Sequence, residues 1–519
     1  MNAFLRRLGG LVLGVLGGFD RVRFRGSMRW LCKASGVMHF LSKISLLLKD
    51  FPEFARGRTE ALREAVEGAA LGQGRPVEYL AGSDIDKEAR ALAIAADDGI
   101  EQGLVAVLAV VEPCMTFRVR GNRQAGKLVL RSERGKCLHY YHYYRDARLG
   151  WLHTRLQSWF PFTIQVCLNG REWLSRQLDA AGLRYLRRDN CFAWVEDLAR
   201  AQALADEQLR SDWPALLEGL ARRSQPLHGH LLPLEVPYYW SVDESEWASD
   251  FLFRRQADLA RWMPALVRHG LHVLGSADVL RFLGHKTPAH GGVNGHFAGE
   301  VVTDYKRRPE GVRIKHRAKK NWVKLYDKQG TVLRIETVLN SVEGMQSYRA
   351  KESEPDGPKA WRRLRKGVAD LHRRAQISQQ ANERYAASLV EADEQTPLKD
   401  LAEPVCRPVT WRGRRVRALN PLSGDDARLL EAVARGEFLL NGFRNRDLRG
   451  LLFAGASNEA EARRQSAAVT RRLRLLRAHG LIQKVAKTHR YVVSKGGQQI
   501  ITALLSARAA NTAQLLQVA

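Results

Sequence analysis

The chain has 519 residues, 45% of them hydrophobic, which is enough for several packed domains rather than one small one. Lys and Arg number 83 against 55 Asp and Glu, a formal net charge of +28 that points to a polyanionic partner. The early apolar run from Leu8 to Phe19 is short and broken by five glycines, and no small-residue cleavage pattern follows it. These features argue against a membrane span or a secretory leader and for a cytoplasmic protein.

From the N-terminus, Phe19, Val22 and Phe24 interleave with Arg21, Arg23 and Arg25, predicting a strand with one apolar and one cationic face. Helical patterns follow around Met28 to Leu48 and Thr59 to Leu71. Pro76 to Leu80 reads as a strand, Ser83 with Asp86 as a capping-box-like start for a helix to about Ala96, and Leu104 to Val111 as a buried strand. Together these make a β-α-β unit. Five β-rich runs, Met115 to Arg120, Lys127 to Arg131, Lys136 to Tyr144, Trp151 to Trp159 and Phe162 to Leu168, then predict consecutive hairpins. A helix over Asn169 to Ala181, a strand over Cys191 to Val195 and helical sequence over Asp197 to Arg223, broken near Pro214, complete a region 1–225. That region is expected to be an α+β domain with a mixed or antiparallel, hairpin-rich sheet.

The Pro- and His-bearing stretch Gln225 to Tyr239 marks a boundary. Beyond it the pattern predicts helices from Asp243 to His269 and Ser276 to Leu283, then a Gly/His-rich loop, Gly284 to His296. Lys306 to Lys328 carries ten Lys/Arg and two acids, and Gly311 to Asn340 alternates well enough for three strands, broken near Ala318 and at Gln329-Gly330. Trp361 to Arg374 reads as a basic helix. Residues 226–395 are thus a basic central α+β region, and 396–422 a linker bearing Pro and Arg. The six cysteines, Cys32, Cys114, Cys137, Cys167, Cys191 and Cys406, form no CxxC or zinc-ribbon spacing and read as reduced thiols.

Residues 423–508 give the clearest pattern, ahead of a 509–519 tail. A helix from Asp425 to Arg435, a short helix within Phe443 to Phe453 and a helix over Ser466 to Gly480 precede two strands, Leu481 to Val485 and His489 to Ser494, and a last helix through Ile500 to Leu505. This order resembles the winged helix-turn-helix domains of bacterial regulators and replication initiators. From Asn441 to Lys495 there are 13 Lys/Arg and 3 Asp/Glu, a local +10. Val469, Leu473 and Leu476 fall on a core face. Ser466, Thr470, Arg471, Arg474 and Arg477 are then the candidates to meet DNA, with Lys487 and Arg490 on the hairpin.

In the central block, the string KLYDKQGTVLRIET (Lys324 to Thr337) resembles the end of the catalytic domain of plasmid and filamentous-phage rolling-circle replication initiators. That resemblance implies Tyr326 as a nucleophile on a DNA phosphodiester, Lys324 and Lys328 as charge stabilisers, and Glu336 as a ligand for Mg or Mn. The His-hydrophobic-His motif common in those enzymes is missing; His228-Gly229-His230 lies in the Pro-rich stretch instead. Lys315, Arg317, Lys319 and Lys320 supply a sequence-independent grip on phosphate.

Two other constellations merit a structural test. Folding Lys136 to Trp159 about RDARLG sets His142 roughly opposite His153 as a possible metal pair, or as a stacking surface for bases. Asp20, Glu112 and Asp189 or Glu196, near strand ends, could converge on metal ions as in nucleases of the ribonuclease-H type. The whole chain also resembles a family of bacterial proteins, a likeness that implies no activity. The combined expectation is a DNA-binding protein of a mobile element, acting in replication, mobilisation or transposition. A non-enzymatic winged-helix regulator and an RNA-binding protein remain the alternatives.

Overall fold

The computed structural model of the protein describes residues 2–122, 124, 126–272, 274–284, 301–309, 311–351, 353–389, 398–435, 438, 442–485 and 488–510. Most of the Gly/His-rich loop, Lys487 and most of the C-terminal tail lie outside the described residues. The chain is an α+β protein whose contacts fall into two units. One comprises Gly9–Leu259 with Val323–Asn382, the other Met1–Leu8, Ala260–Trp322 and Glu383–Ala519.

The first unit is built on a long sheet. Its strands are β1 (Val12–Met28), β2 (Glu78–Tyr79), β3 (Gly103–Asn122), β4 (Lys127–Asp146), β5 (Gly150–Gln157) and β6 (Ile164–Asn169), then a separate hairpin of β7 (Tyr185–Arg188) and β8 (Cys191–Val195), then β9 (Tyr238–Phe253). In the second unit β10 (Val301–Arg308) and β11 (Gly311–Ala318) pair antiparallel. The chain returns to the first unit through β12 (Asn321–Lys328) and β13 (Val332–Leu339), followed by a two-stranded hairpin of β14 (Gln346–Arg349) and β15 (Ala360–Arg363). Within the first unit the sheet order is β12-β13-β9-β1-β6-β5-β4-β3-β2. The three central-block strands and their breaks fall where alternation placed them. The β-α-β unit is present too, with β2 parallel to β3. Asp86 itself caps its helix, accepting from the Glu88 and Ala89 amides, so the start lies three residues later than a Ser83 cap requires.

Other expectations are corrected. The runs Leu104 to Val111 and Met115 to Arg120 are one strand, β3, and Lys127 to Tyr144 is another, β4, because the pair stays in register along nearly its whole length. The sequence from Asp243 to Phe253 is strand, with the helix starting only at Gln256. β9 pairs with both β1 and β13, so it belongs with the preceding strands, and the contact units divide the chain elsewhere than at residue 225. Trp361 lies on a strand, and the helix after it begins at Leu371.

In the second unit, the expected linker holds a helix (Leu398–Cys406) and a hairpin of β16 (Val409–Trp411) and β17 (Arg414–Val416). The elements after it are a helix (Gly424–Val433), β18 (Phe443–Arg444), helices Asn445–Leu452 and Glu459–Ala478, β19 (Ile482–Lys484), β20 (Arg490–Val493) and a helix Lys495–Ala509. The three strands pair in the order β18-β20-β19, and Leu430, Leu448, Val469, Leu473, Leu476 and Ile501 close a core beneath them. Among the described residues, no helix is long and apolar enough to cross a membrane.

Candidate functional site

The arginine-bearing face of β1 lies against β9, whose sequence DESEWASD carries acids at Asp243, Glu244, Glu246 and Asp250. Arg21 donates to Glu246 at 2.8 Å, Arg23 to Glu244 at 2.9 Å and Arg25 to Asp243 at 2.8 Å. The cationic strand is therefore paired within the fold rather than left for phosphate.

Asp20 interrupts this ladder. The β1-β9 register shifts between Phe19 and Arg21, a bulge that re-aims one side chain. The chain is held there by Gly170, the first residue of helix Gly170–Ala180. A Cβ on it would lie 2.3 Å from the Phe19 carbonyl oxygen, so only glycine fits. Asp20, Glu246 and Glu336 thus meet from β1, β9 and β13, and one carboxylate oxygen of each lies within 4.8 Å of the others. They line a cleft of about 300 Å³ together with Arg21, Asn190, Lys324, Tyr326, Lys328 and His153.

Cations inside the fold decide the charge state of each acid. Arg334, fully buried, makes a two-pronged contact with Asp250 (2.6 and 2.9 Å) and donates to Asp20 at 3.2 Å and to the Asn190 carbonyl. Burial works against ionisation of Asp250, but Arg334 and Arg171 outweigh it and hold its carboxyl below the usual range. Glu336 is likewise raised by burial and brought below its ordinary value by Lys324, which donates to it, and by Arg334. Glu246 is pushed up to about 7, first by burial and then by Glu336, against the pull of Lys324 and Arg21. Asp20 is raised for the same first reason. Two of the three clustered acids therefore lack enough positive charge.

The donor set suits a divalent cation. Three carboxylates offer the hard oxygen ligands that Mg and Mn take. Asn190, on the tip between β7 and β8, donates its amide nitrogen to both Asp20 oxygens, while its own buried Oδ1 finds no donor among the described residues. An orphaned oxygen beside under-neutralised carboxylates is what a cation would satisfy. Asp20, Glu246 and Glu336 would hold such an ion, with Asn190 beside them.

The predicted site residues sort as follows. Tyr326, Lys324, Lys328 and Glu336 do come together, joined by Asp20. The Tyr326 ring lies 5.7 Å from the Lys324 ammonium and 5.1 Å from that of Lys328. Burial, then Glu336, pushes its phenol above the ordinary value while Lys324 opposes them. Glu112 goes elsewhere, bound by Tyr141, Arg155 and Lys87. Glu196 pairs with Arg184, and the Asp189 carboxylate lies 3.7 Å from Lys328. The His142 and His153 pairing is corrected. His142 stands opposite Thr154 and His153 opposite Tyr143, so neighbouring register positions put the two imidazoles on opposite faces. His142 is buried and stacked against Tyr144, whereas His153 lines the cleft; burial pushes both down to about 4. Glu246 and Asn190 were missed. The signal for Glu246 was the alternation of acids in DESEWASD, a strand period read as the start of a helix.

In the second unit, Arg471 is exposed, but Arg474 and Arg477 lie over the Trp411 ring at 5.9 and 5.2 Å. Ser466 and Thr470 both bond Asn445 of the preceding helix, which fixes the angle between the two helices. Arg490 is half-buried on β20. Arg317, Lys319 and Lys320 are exposed around the end of β11, and Lys315 lies 4.2 Å over the Trp322 ring. No family model, no curated protein and no solved structure matches this chain.

Proposed function

We propose that this is a DNA-acting protein that breaks a phosphodiester in the cleft of Asp20, Glu246 and Glu336 and reads duplex DNA with a C-terminal winged helix, in a cytoplasmic mobile-element role. The observation that carries the reading is the convergence of three carboxylates from three adjacent strands in an open cleft that also holds a tyrosine and two lysines. A bound Mg or Mn ion would supply Lewis acidity to the phosphate. The rest falls to the chain. Lys328 and Lys324 bring positive charge to the phosphate and to the phenolate. The Tyr326 oxygen forms a bond to phosphorus as the bond to the leaving sugar oxygen breaks. The phenolic proton passes to water in the open cleft, and the leaving oxygen takes one back from it. The helix order Gly424–Val433, Asn445–Leu452, Glu459–Ala478 with its three-stranded sheet supports the winged-helix reading, as does the local +10.

The test is incubation of supercoiled and single-stranded DNA with Mg or Mn. The parent chain nicks and leaves a covalent adduct. Asp20→Asn, Glu246→Gln or Glu336→Gln lowers cleavage on the order of 100-fold or more while DNA binding in EDTA stays unchanged. Tyr326→Phe loses the adduct; cleavage that persists in it makes water the nucleophile. A parent chain that cleaves nothing refutes the reading and leaves the non-enzymatic regulator.

A further inference from the structure

The hairpin of β14 and β15 follows β13 directly, and it carries an aromatic pair that neither the cleft nor the core uses. Tyr348 stands opposite Trp361 across the two strands, with ring centroids 5.6 Å apart and planes at 56°. Cross-strand aromatic pairs ordinarily help to hold a hairpin and hide their faces. Here Tyr348 is 59% and Trp361 67% exposed, the latter more than any other tryptophan among the described residues. Two large rings left in water call for something that stacks on them.

The charge around them selects what that is. From Gln346 to Lys366 the sequence holds seven Lys/Arg (Arg349, Lys351, Lys359, Arg362, Arg363, Arg365 and Lys366) against three acids. Arg365 is spent on Asp370, and Lys351 faces Glu354. Lys359, Arg363 and Lys366 are exposed within five residues of Trp361. Aromatic faces among cations are the pattern for a strand of unpaired bases, since every base has a π-face and every link a phosphate. Duplex DNA hides its base faces in the stack and cannot use such a platform.

The hairpin is also anchored near the cleft. Its exit strand is tied to β9, where Ser241 bridges Gly367 and the Val242 amide donates to the Lys366 carbonyl. From Ser241 to Glu246 is five residues of extended strand, roughly 17 Å. Trp361 lies a further five residues before Lys366, so the rings are within roughly 40 Å of the carboxylates along the chain, a span that a short single strand covers.

We infer that Tyr348 and Trp361 form a stacking platform for unpaired DNA, which delivers the single strand to the cleft; the inference rests on the reading of this protein as DNA-acting. The experiment measures binding of labelled oligo(dT) to the full chain by fluorescence anisotropy in EDTA, so that no cleavage intervenes. Tyr348→Ala and Trp361→Ala each weaken single-strand binding about ten-fold, Trp361→Phe retains most of it, and duplex affinity stays within about two-fold. Variants that bind oligo(dT) like the parent, an equal loss on duplex, or Trp361→Phe as weak as Trp361→Ala overturn the platform. Tighter binding of oligo(rU) than of oligo(dT) overturns the assignment to DNA. The two readings fail separately: a platform intact in a chain that never cleaves refutes only the cleavage chemistry, and cleavage with single-strand binding indifferent to Trp361 refutes only the platform.

Discussion

Replacing Arg334 by Met tests whether the cleft is held by its buried ions. The side chain is fully buried and serves Asp250, Asp20 and the Asn190 carbonyl at once, while methionine fills much of the same apolar volume without the charge. Removing one partner of a buried ion pair costs about 3–5 kcal/mol, because the remaining charge stays in a low dielectric. Arg171 remains 3.1 Å from Asp250, so the lower half of that range, about 3–4 kcal/mol, is expected at pH 7. The pH dependence follows from direction. In the parent, Asp250 is held below its usual value, so its stabilisation is present above the unfolded carboxyl value and is lost as pH falls. In the variant, Asp250 and Asp20 lose that support and their values rise. The penalty is then full at neutral pH and shrinks as pH falls through the raised values. Urea unfolding followed by tryptophan fluorescence at pH 7 and pH 4.5 reads both quantities, and adding Asp250→Asn restores part of the loss at pH 7. A loss under about 1 kcal/mol, or the same loss at both pH values, refutes the argument.

Two further outcomes are expected. Arg471→Ala with Arg474→Ala flattens the dependence of log affinity for duplex DNA on log salt by about one to two units, each lost phosphate contact releasing one counterion fewer. A slope equal to the parent's removes that helix from the DNA interface. His142, pushed down to about 4 by burial, is neutral in the fold and charged in the unfolded chain below about 6.5. Its contribution is intact above pH 6.5 and declines as pH falls toward 4, reaching about 2 kcal/mol lost at pH 5. His142→Phe, which also removes an Nδ1 with no partner among the described residues, makes the unfolding midpoint less acid-sensitive over pH 7 to 5. An unchanged acid limb counts against the buried neutral imidazole.

Local pattern determined a good deal of this protein. Alternation over Gly311 to Asn340 was enough to place β11, β12 and β13, since a strand with one buried face writes its period into the sequence. It also set Tyr326 beside Glu336. Helix spacing and Gly480 placed the C-terminal elements to within a few residues, except that the helix expected from Ser466 begins seven residues earlier. The rest lay in pairings between distant segments. DESEWASD has strand alternation, yet its apolar and acidic residues also suit an amphipathic helix, and only lying between β1 and β13 makes it a strand. Glu246 joins the site through partners 226 residues earlier and 90 later, a proximity that no local period encodes. The histidine pair shows the finer limit. The hairpin was foreseen, but a one-residue difference in register sends His142 to one face and His153 to the other, because side chains alternate strictly along a strand. Tertiary structure also decided the fate of charge: the arginines of β1 read as a cationic face, and the acids of β9, buried more deeply than they are, take them because a buried charge must be paired.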